Sequence, residues 1–183
     1  AIQARPWTFA LLGGGALVLL LIPVFSLRLG FSDEGNYSEE TTTRRAYDLV
    51  AEGFGPGFNG PFIAVIETAS PDDVAMVQAL PAALVDDPGV ARVGQPFPSD
   101  LANAADAPAW LIQVIPTTSP QDEATVDTVE RLRAEVIPAV VGDSEAVVSL
   151  TGAVPSNIDF TDYLAGRILV FFGAVLGVSF LLL

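Results

Sequence analysis

Two long uncharged stretches set the terms for everything else in this chain. Trp7 to Leu27, WTFALLGGGALVLLLIPVFSL, contains no ionisable side chain. An α-helix rises roughly 1.5 Å per residue, so a helix of this length reaches across a hydrocarbon layer of about 30 Å. The stretch therefore predicts a membrane-spanning helix. A second uncharged run, Ile168 to Leu183, continues to the last residue of the sequence. It falls short of the roughly 20 residues a crossing takes, which predicts a span cut within its helix and a chain that is a segment of something longer. A cleaved leader does not suit the first run, which exceeds the usual 7 to roughly 15 apolar residues and is followed by PVFSLRLG, with no small-x-small cleavage pattern.

The stretch between them reads as an ordinary soluble lobe, and a strongly acidic one. All 22 carboxylates lie between Asp33 and Asp162, against five arginines there (Arg44, Arg45, Arg92, Arg131 and Arg133), a net charge of −17. Such a surface repels phosphate backbones and excludes nucleic acid as a partner. Cysteine, histidine and lysine are absent from all 183 residues. That removes thiolate and Ser-His nucleophiles, Cys/His zinc sites, Schiff-base amines and the phosphate-loop lysine, so no cofactor and no enzymatic activity are expected. The length suits one core rather than two. Arg5 and Arg28 flank the first span almost symmetrically, and the lysine-free acidic lobe is the part more readily placed outside the cell membrane.

Within the lobe the pattern alternates between strand and helix. Leu29 to Glu40 is polar and turn-rich. Thr41 to Thr43 can cap a helix in which Ala46, Leu49, Val50 and Gly53 form one apolar stripe facing a core, with Arg44, Arg45, Asp48 and Glu52 toward water. Gly53-Phe54-Gly55-Pro56-Gly57-Phe58-Asn59-Gly60-Pro61 is too rich in glycine and proline for regular structure; it predicts a sharp turn anchored by two rings, either a hinge or ligand-contacting loop or a plain connector. Strands are predicted over 62–67, 90–93, 109–115 and 145–151. Ser70-Pro71-Asp72-Asp73 and Ser119-Pro120-Gln121-Asp122 are near-identical helix starts. The first helix buries Val74, Val77 and Leu80 and is expected to kink or break at Pro81; the second presents Thr125, Val129, Leu132 and Val136 along one face. The run 94–108 reads as irregular loop.

The resulting order, β-α-β-β-α-β with two similar halves, predicts an α+β fold of the ferredoxin-like (split βαβ) kind: an antiparallel sheet with both helices on one face. Its other face must then be covered, by the helix near 43–52 or by another domain. The organisation expected is a transmembrane helix over 1–28, an extracytoplasmic domain over 29–155, and a juxtamembrane helix leading into a second span over 156–183.

Individual residues with functional potential are few. Asp72-Asp73, Asp86-Asp87 and Asp122-Glu123 could suggest calcium, but each sits at a helix end or turn where carboxylates serve structure. Trp110 could stack on a ligand or fill the core. Gly13, Gly14 and Gly15 would let another membrane helix approach closely. Asp159 and Asp162 could couple the lobe to the second span or simply cap it.

Three stretches carry a resemblance to a known family: Arg5-Pro6-Trp7 opening a span; Arg44-Arg45-Ala46-Tyr47-Asp48-Leu49 running into Gly53 to Pro61; and Gly152 through Asn157-Ile158-Asp159-Phe160 leading to the apolar Phe171 to Leu183. Together they resemble the MMPL family, lipid exporters of actinomycetes within the resistance-nodulation-division superfamily, at the segment that begins the C-terminal half. The resemblance implies a porter domain in a proton-driven exporter of lipids or other hydrophobic compounds at the cell membrane, partnered by the remaining transmembrane helices, the bilayer, the cargo and the other porter domain of a longer chain. It places the proton-relay residues outside this segment, as the absence of ionisable side chains in both apolar runs also requires. The residues alone leave a second layout open, an extracytoplasmic ligand-sensing domain of a two-span membrane receptor.

Overall fold

The computed structural model describes residues 6–23 and 32–183, arranged as two compact units, Ala1–Gly30 and Phe31–Leu183. The first unit contains helix α1, Pro6–Leu21, whose side chains from Leu11 onward are exposed, followed by a short 3-10 turn at residues 22–23. Sixteen helical residues rise about 24 Å, less than a full crossing. The rest of the expected span, Val24 to Leu27, lies outside the described residues, as do the flanking Arg5 and Arg28.

The second unit is an α+β lobe. In order it comprises helix α2 (Thr42–Phe54), strand β1 (Phe62–Glu67), helix α3 (Val74–Val85), strands β2 (Val90–Val93), β3 (Phe97–Pro98) and β4 (Ala109–Pro116), helix α4 (Glu123–Arg131), a π-helical turn (Leu132–Val136), helix α5 (Ile137–Val141), strand β5 (Val147–Gly152) and helix α6 (Ala153–Leu182). The strands pair β2-β4-β1-β5, every neighbour antiparallel, with β3 paired to β4. Strands β1 and β2 thus flank β4 rather than each other, and β5 returns to the far side of β1.

Period-two alternation puts one sheet face in the core. Phe62, Ala64 and Ile66 of β1 and Trp110, Ile112 and Val114 of β4 are buried, joined by Val77, Leu80 and Leu84 of α3 and by Val129, Leu132 and Ile137 of the α4–α5 segment. Each large side chain fully withdrawn from water there contributes roughly 1.5–3 kcal/mol.

Four local expectations are revised. Helix α3 does not end at Pro81 but carries it inside and continues to Val85, because Leu84, one turn beyond, is fully buried and holds the last turn in place. The run 94–108 is not wholly irregular: Phe97 and Pro98 pair with Leu111 and Trp110, and Ser99 N–H donates to Ala109 O at 2.8 Å. The second core helix contains the π turn, whose extra residue moves the buried position from Val136 to Ile137, five after Leu132. Helix α2 is rotated from its expected stripe, although Arg45, Asp48 and Glu52 do face water. Leu49 is 67% exposed, and Ala46 and Gly53 also face solvent, while Arg44, Tyr47, Val50 and Ala51 are the half-buried residues.

The rotation of α2 has a polar cause. Asp33 caps a 3-10 turn, Glu34–Asn36, and Arg44 donates both to Gly35 O and, at 2.8 Å, to Asp48. Tyr47 Oη approaches Asp33 Oδ2 at 3.4 Å, and Asn59 Nδ2 donates to Tyr47 O at 3.1 Å. Partial burial, reinforced by the Asp33 charge, pushes the Tyr47 phenol up to about 12. These contacts fix the helix by its polar side.

Helix α6 is a single 30-residue element, about 45 Å long. It joins the expected juxtamembrane helix to the apolar run without interruption. Among the described residues it alone is long and apolar enough to cross a bilayer. Its first turn belongs to the lobe, with Val154 and Pro155 buried and Ile158 packed on the core.

Candidate functional site

The glycine- and proline-rich loop after α2 is more ordered than its composition predicts. Gly55, at φ 101°, ends α2 in a backbone conformation that side chains disfavour, and Pro56 starts a 3-10 turn, Pro56–Asn59. Gly57 is buried so close to β4 that a Cβ there would sit 1.8 Å from Pro116 O. A Cβ at Gly60 would meet the Pro120 ring at 2.4 Å. The loop is therefore clamped onto the end of β4 and the start of the second core helix. Phe54 and Phe58 stack on each other with centroids 5.0 Å apart and planes at 26°, and Phe54 remains 61% exposed. The two rings anchor one another rather than the core. Pro61 leads directly into β1.

Gly13, Gly14 and Gly15 lie on exposed turns of α1, and a Cβ on any of them would meet nothing within 4 Å. The structure brings no described residue against them.

The paired acids divide by reach. Asp73 Oδ2 accepts from Ala69 N–H and Ser70 N–H, both at 2.8 Å, and its Oδ1 accepts from Ser144 Oγ at 2.6 Å. These donors, Ser144 first, hold its carboxyl below the ordinary value of 3.8. Asp87 lies 6% exposed and takes a two-pronged contact from Arg131, both bonds at 2.6 Å, with Gly89 N–H adding a third at 2.8 Å. The guanidinium hydrogen bonds are the main cause of its lowered pKa, against burial, which acts the other way. Asp122 Oδ2 closes on its own Ser119, from N–H at 2.9 Å and Oγ at 2.8 Å. Each of these three carboxylates is engaged in holding the fold, and among the described residues no group of three or more acidic side chains converges to hold a metal. Trp110 is a core residue, 4% exposed, with its Nε1 buried and unbonded. A small open cleft of about 220 Å³ runs between Thr68–Pro71 and Asp106–Pro108.

Two features that residue types alone did not reveal stand out. The first is the sheet face turned away from the helices. Val65 pairs with Leu111 on one side and Ser149 on the other, and Ile63 with Gln113 and Thr151. Ile63 (38%), Leu111 (45%), Phe97 (53%) and Val147 (56%) are exposed on this face, whereas Val65 is half-buried and Ile115, at the end of β4 where the loop 56–59 lies, is buried. The strand pattern already implied a face in need of cover; that part of it stays open is decided by the fold. The second is the joint at α6. Arg133, on the π turn, donates to both oxygens of Asp159 at 2.6 and 2.9 Å and to Leu150 O of β5 at 2.8 Å. Further along, the Arg167 guanidinium lies 4.0 Å over the Tyr163 ring, just before the apolar run begins.

No family model matches the chain, but its sequence is similar to known membrane proteins. It is 34% identical, over 171 residues covering 91% of its length, to the membrane protein YdfJ of Bacillus subtilis. It is 25% identical, over its whole length, to MmpL11 of Mycolicibacterium smegmatis, an exporter of mycolic acid-containing lipids. The chain spans 22% of the first relative and 19% of the second, about a fifth of each. The similarity thus runs through lobe and helices together, and it places the chain beside membrane proteins, one of them a transporter.

Proposed function

We propose that the lobe is a porter domain of an MMPL-type exporter in the resistance-nodulation-division superfamily, working within a longer multi-pass protein of the cell membrane. The observation that carries this reading is the outward sheet face on which Ile63, Leu111, Phe97 and Val147 stay exposed among Gln113, Ser149 and Thr151. A lobe acting alone would leave this surface in water, whereas one module among several would bury it against a neighbouring domain or along a path for hydrophobic cargo. Similarity to a lipid exporter across the full chain supports the same reading, and the antiparallel order β2-β4-β1-β5 supports a ferredoxin-like (split βαβ) lobe within it.

In this reading the lobe lies outside the membrane and acts by binding and movement rather than by covalent chemistry. Protons are carried by ionisable groups in membrane helices beyond this segment, and lipids or other hydrophobic compounds are the cargo. Helix α1, with Gly13 to Gly15, packs against other spans of the same protein.

The test is export by the full-length protein carrying Ile63→Asp or Leu111→Asp. Both positions are solvent-exposed, so thermal stability and membrane abundance are expected to hold while efflux of a fluorescent hydrophobic dye falls at least several-fold. Unchanged efflux by both variants at normal abundance would remove the porter assignment for this face. A ligand-sensing lobe would instead leave efflux unaffected when the whole protein is deleted.

A further inference from the structure

The geometry points to Arg133 as an angle brace: it sets the direction in which α6 leaves the lobe, so that lobe and apolar helix move as one body. Strand β5 ends at Gly152 and α6 begins at Ala153, with no connecting residues between them. The bend is made at Gly152, with φ 128°, where a Cβ would stand 2.7 Å from Pro61 O. Such a bend has no slack in length, yet a single glycine can still swing in angle. Val154 and Pro155 bury the first turn on one side of the pivot. Arg133 adds a polar tie one turn further along, at Asp159.

Its placement is specific. One guanidinium nitrogen donates both to Leu150 O, before the bend, and to Asp159, after it; a second nitrogen donates to the other Asp159 oxygen. Strand, helix and π turn are thereby joined at one planar group. The fork is rigid, and a lysine ammonium cannot reproduce the paired contact. The contact lies about two helical turns before Arg167, the last charge ahead of the apolar residues. A small change of angle at Gly152 would therefore become a displacement of the membrane end, and the brace suppresses it. Arg133 and Asp159 are both partly exposed. The pair is accordingly poor as a source of overall stability and better suited to fixing an orientation.

This inference rests on α6 entering the bilayer, as proposed above, and can fail separately from it. In the full-length protein in lipid nanodiscs, spin labels are attached at Ala82→Cys on α3 and at Leu169→Cys on the exposed apolar part of α6, this segment having no cysteine of its own. Quenching of a fluorophore at Leu169→Cys by lipid-borne nitroxides checks the membrane reading by itself. The distance distribution between the two labels is expected to be narrow in the parent protein and at least twice as wide in Arg133→Ala, with Arg133→Lys in between. Asp159→Asn alters a half-exposed side chain and guards against loss of folding; it is expected to widen the distribution as well. Widths equal to the parent's in Asp159→Asn and in folded Arg133→Ala would overturn the brace.

Discussion

The two halves of the lobe begin from the same local signal and end up differently employed. In both, a Ser-Pro-x-Asp tetrapeptide closes a turn in which the aspartate N–H donates to the serine carbonyl, at 3.2 Å for Asp73 and 3.0 Å for Asp122, and the aspartate carboxylate accepts from the serine N–H. Asp122 stops there. Asp73 reaches across the fold to Ser144, 71 residues away in sequence. The core helices diverge too: α3 runs through a proline, whereas the second is widened by a π turn that carries Arg133 toward α6. A short motif dictates its own turn, and the surroundings decide whether that turn also serves as a long-range joint.

The largest expected effect comes from uncoupling the halves where they are tied together. Arg131→Ala leaves the nearly buried Asp87 carboxylate without its guanidinium and is expected to lower unfolding free energy by roughly 3 kcal/mol in urea titrations. The same pair gives the pH dependence its sign. Because the Asp87 and Asp73 carboxyls sit below their ordinary 3.8 when folded, their contribution is complete above that value and is lost as pH falls through the folded values. Arg131→Ala should therefore flatten the acid side of the stability profile. An unchanged acid limb would mean that the ion pair does not link the halves.

Clamping of the loop onto the second half comes next. Gly57→Ala must displace Pro116 or the loop itself, for a loss of about 2 kcal/mol, readable by calorimetry. The direct comparison of the two turns is smaller: Asp73→Ala is expected to lower Tm by more than Asp122→Ala, and equal shifts would show that the bond to Ser144 adds nothing. Smallest of all is Leu49→Gln on the exposed side of α2, which should change stability by no more than about 0.5 kcal/mol. A loss as large as a buried leucine gives would mean that α2 packs through its apolar stripe after all.

Much of the lobe is legible along the sequence because the relevant forces act locally. The bounds of β1 and β2 follow from short apolar runs between Gly, Pro and Asp punctuation, and both helix starts follow from the Ser-Pro-x-Asp pattern. The π turn is not legible, since Leu132 and Val136 fit an ordinary helical face and the shift to Ile137 comes from what the core will accept. Among the candidate site residues, Gly57 and Gly60 are conspicuous by type, but only the approach of Pro116 and Pro120 gives each a reason. The joint at Arg133 was half visible: Asp159 could be suspected, whereas its partner lies 26 residues earlier and is brought near by the sheet.

By itself, then, the order of residues determined that an acidic α+β lobe without cysteine, histidine or lysine stands between apolar segments. Composition and short-range periodicity suffice for that, because charge, side-chain chemistry and backbone preference belong to each residue wherever it sits. Tertiary structure alone decided that α2 faces inward with Arg44 and Tyr47, that part of one sheet face remains open, and that α6 leaves β5 at an angle fixed by the packing of Val154, Pro155 and Ile158 and by the tie to Arg133. Those outcomes depend on contacts between residues far apart in the chain, where packing and hydrogen-bond satisfaction override what any local stretch prefers.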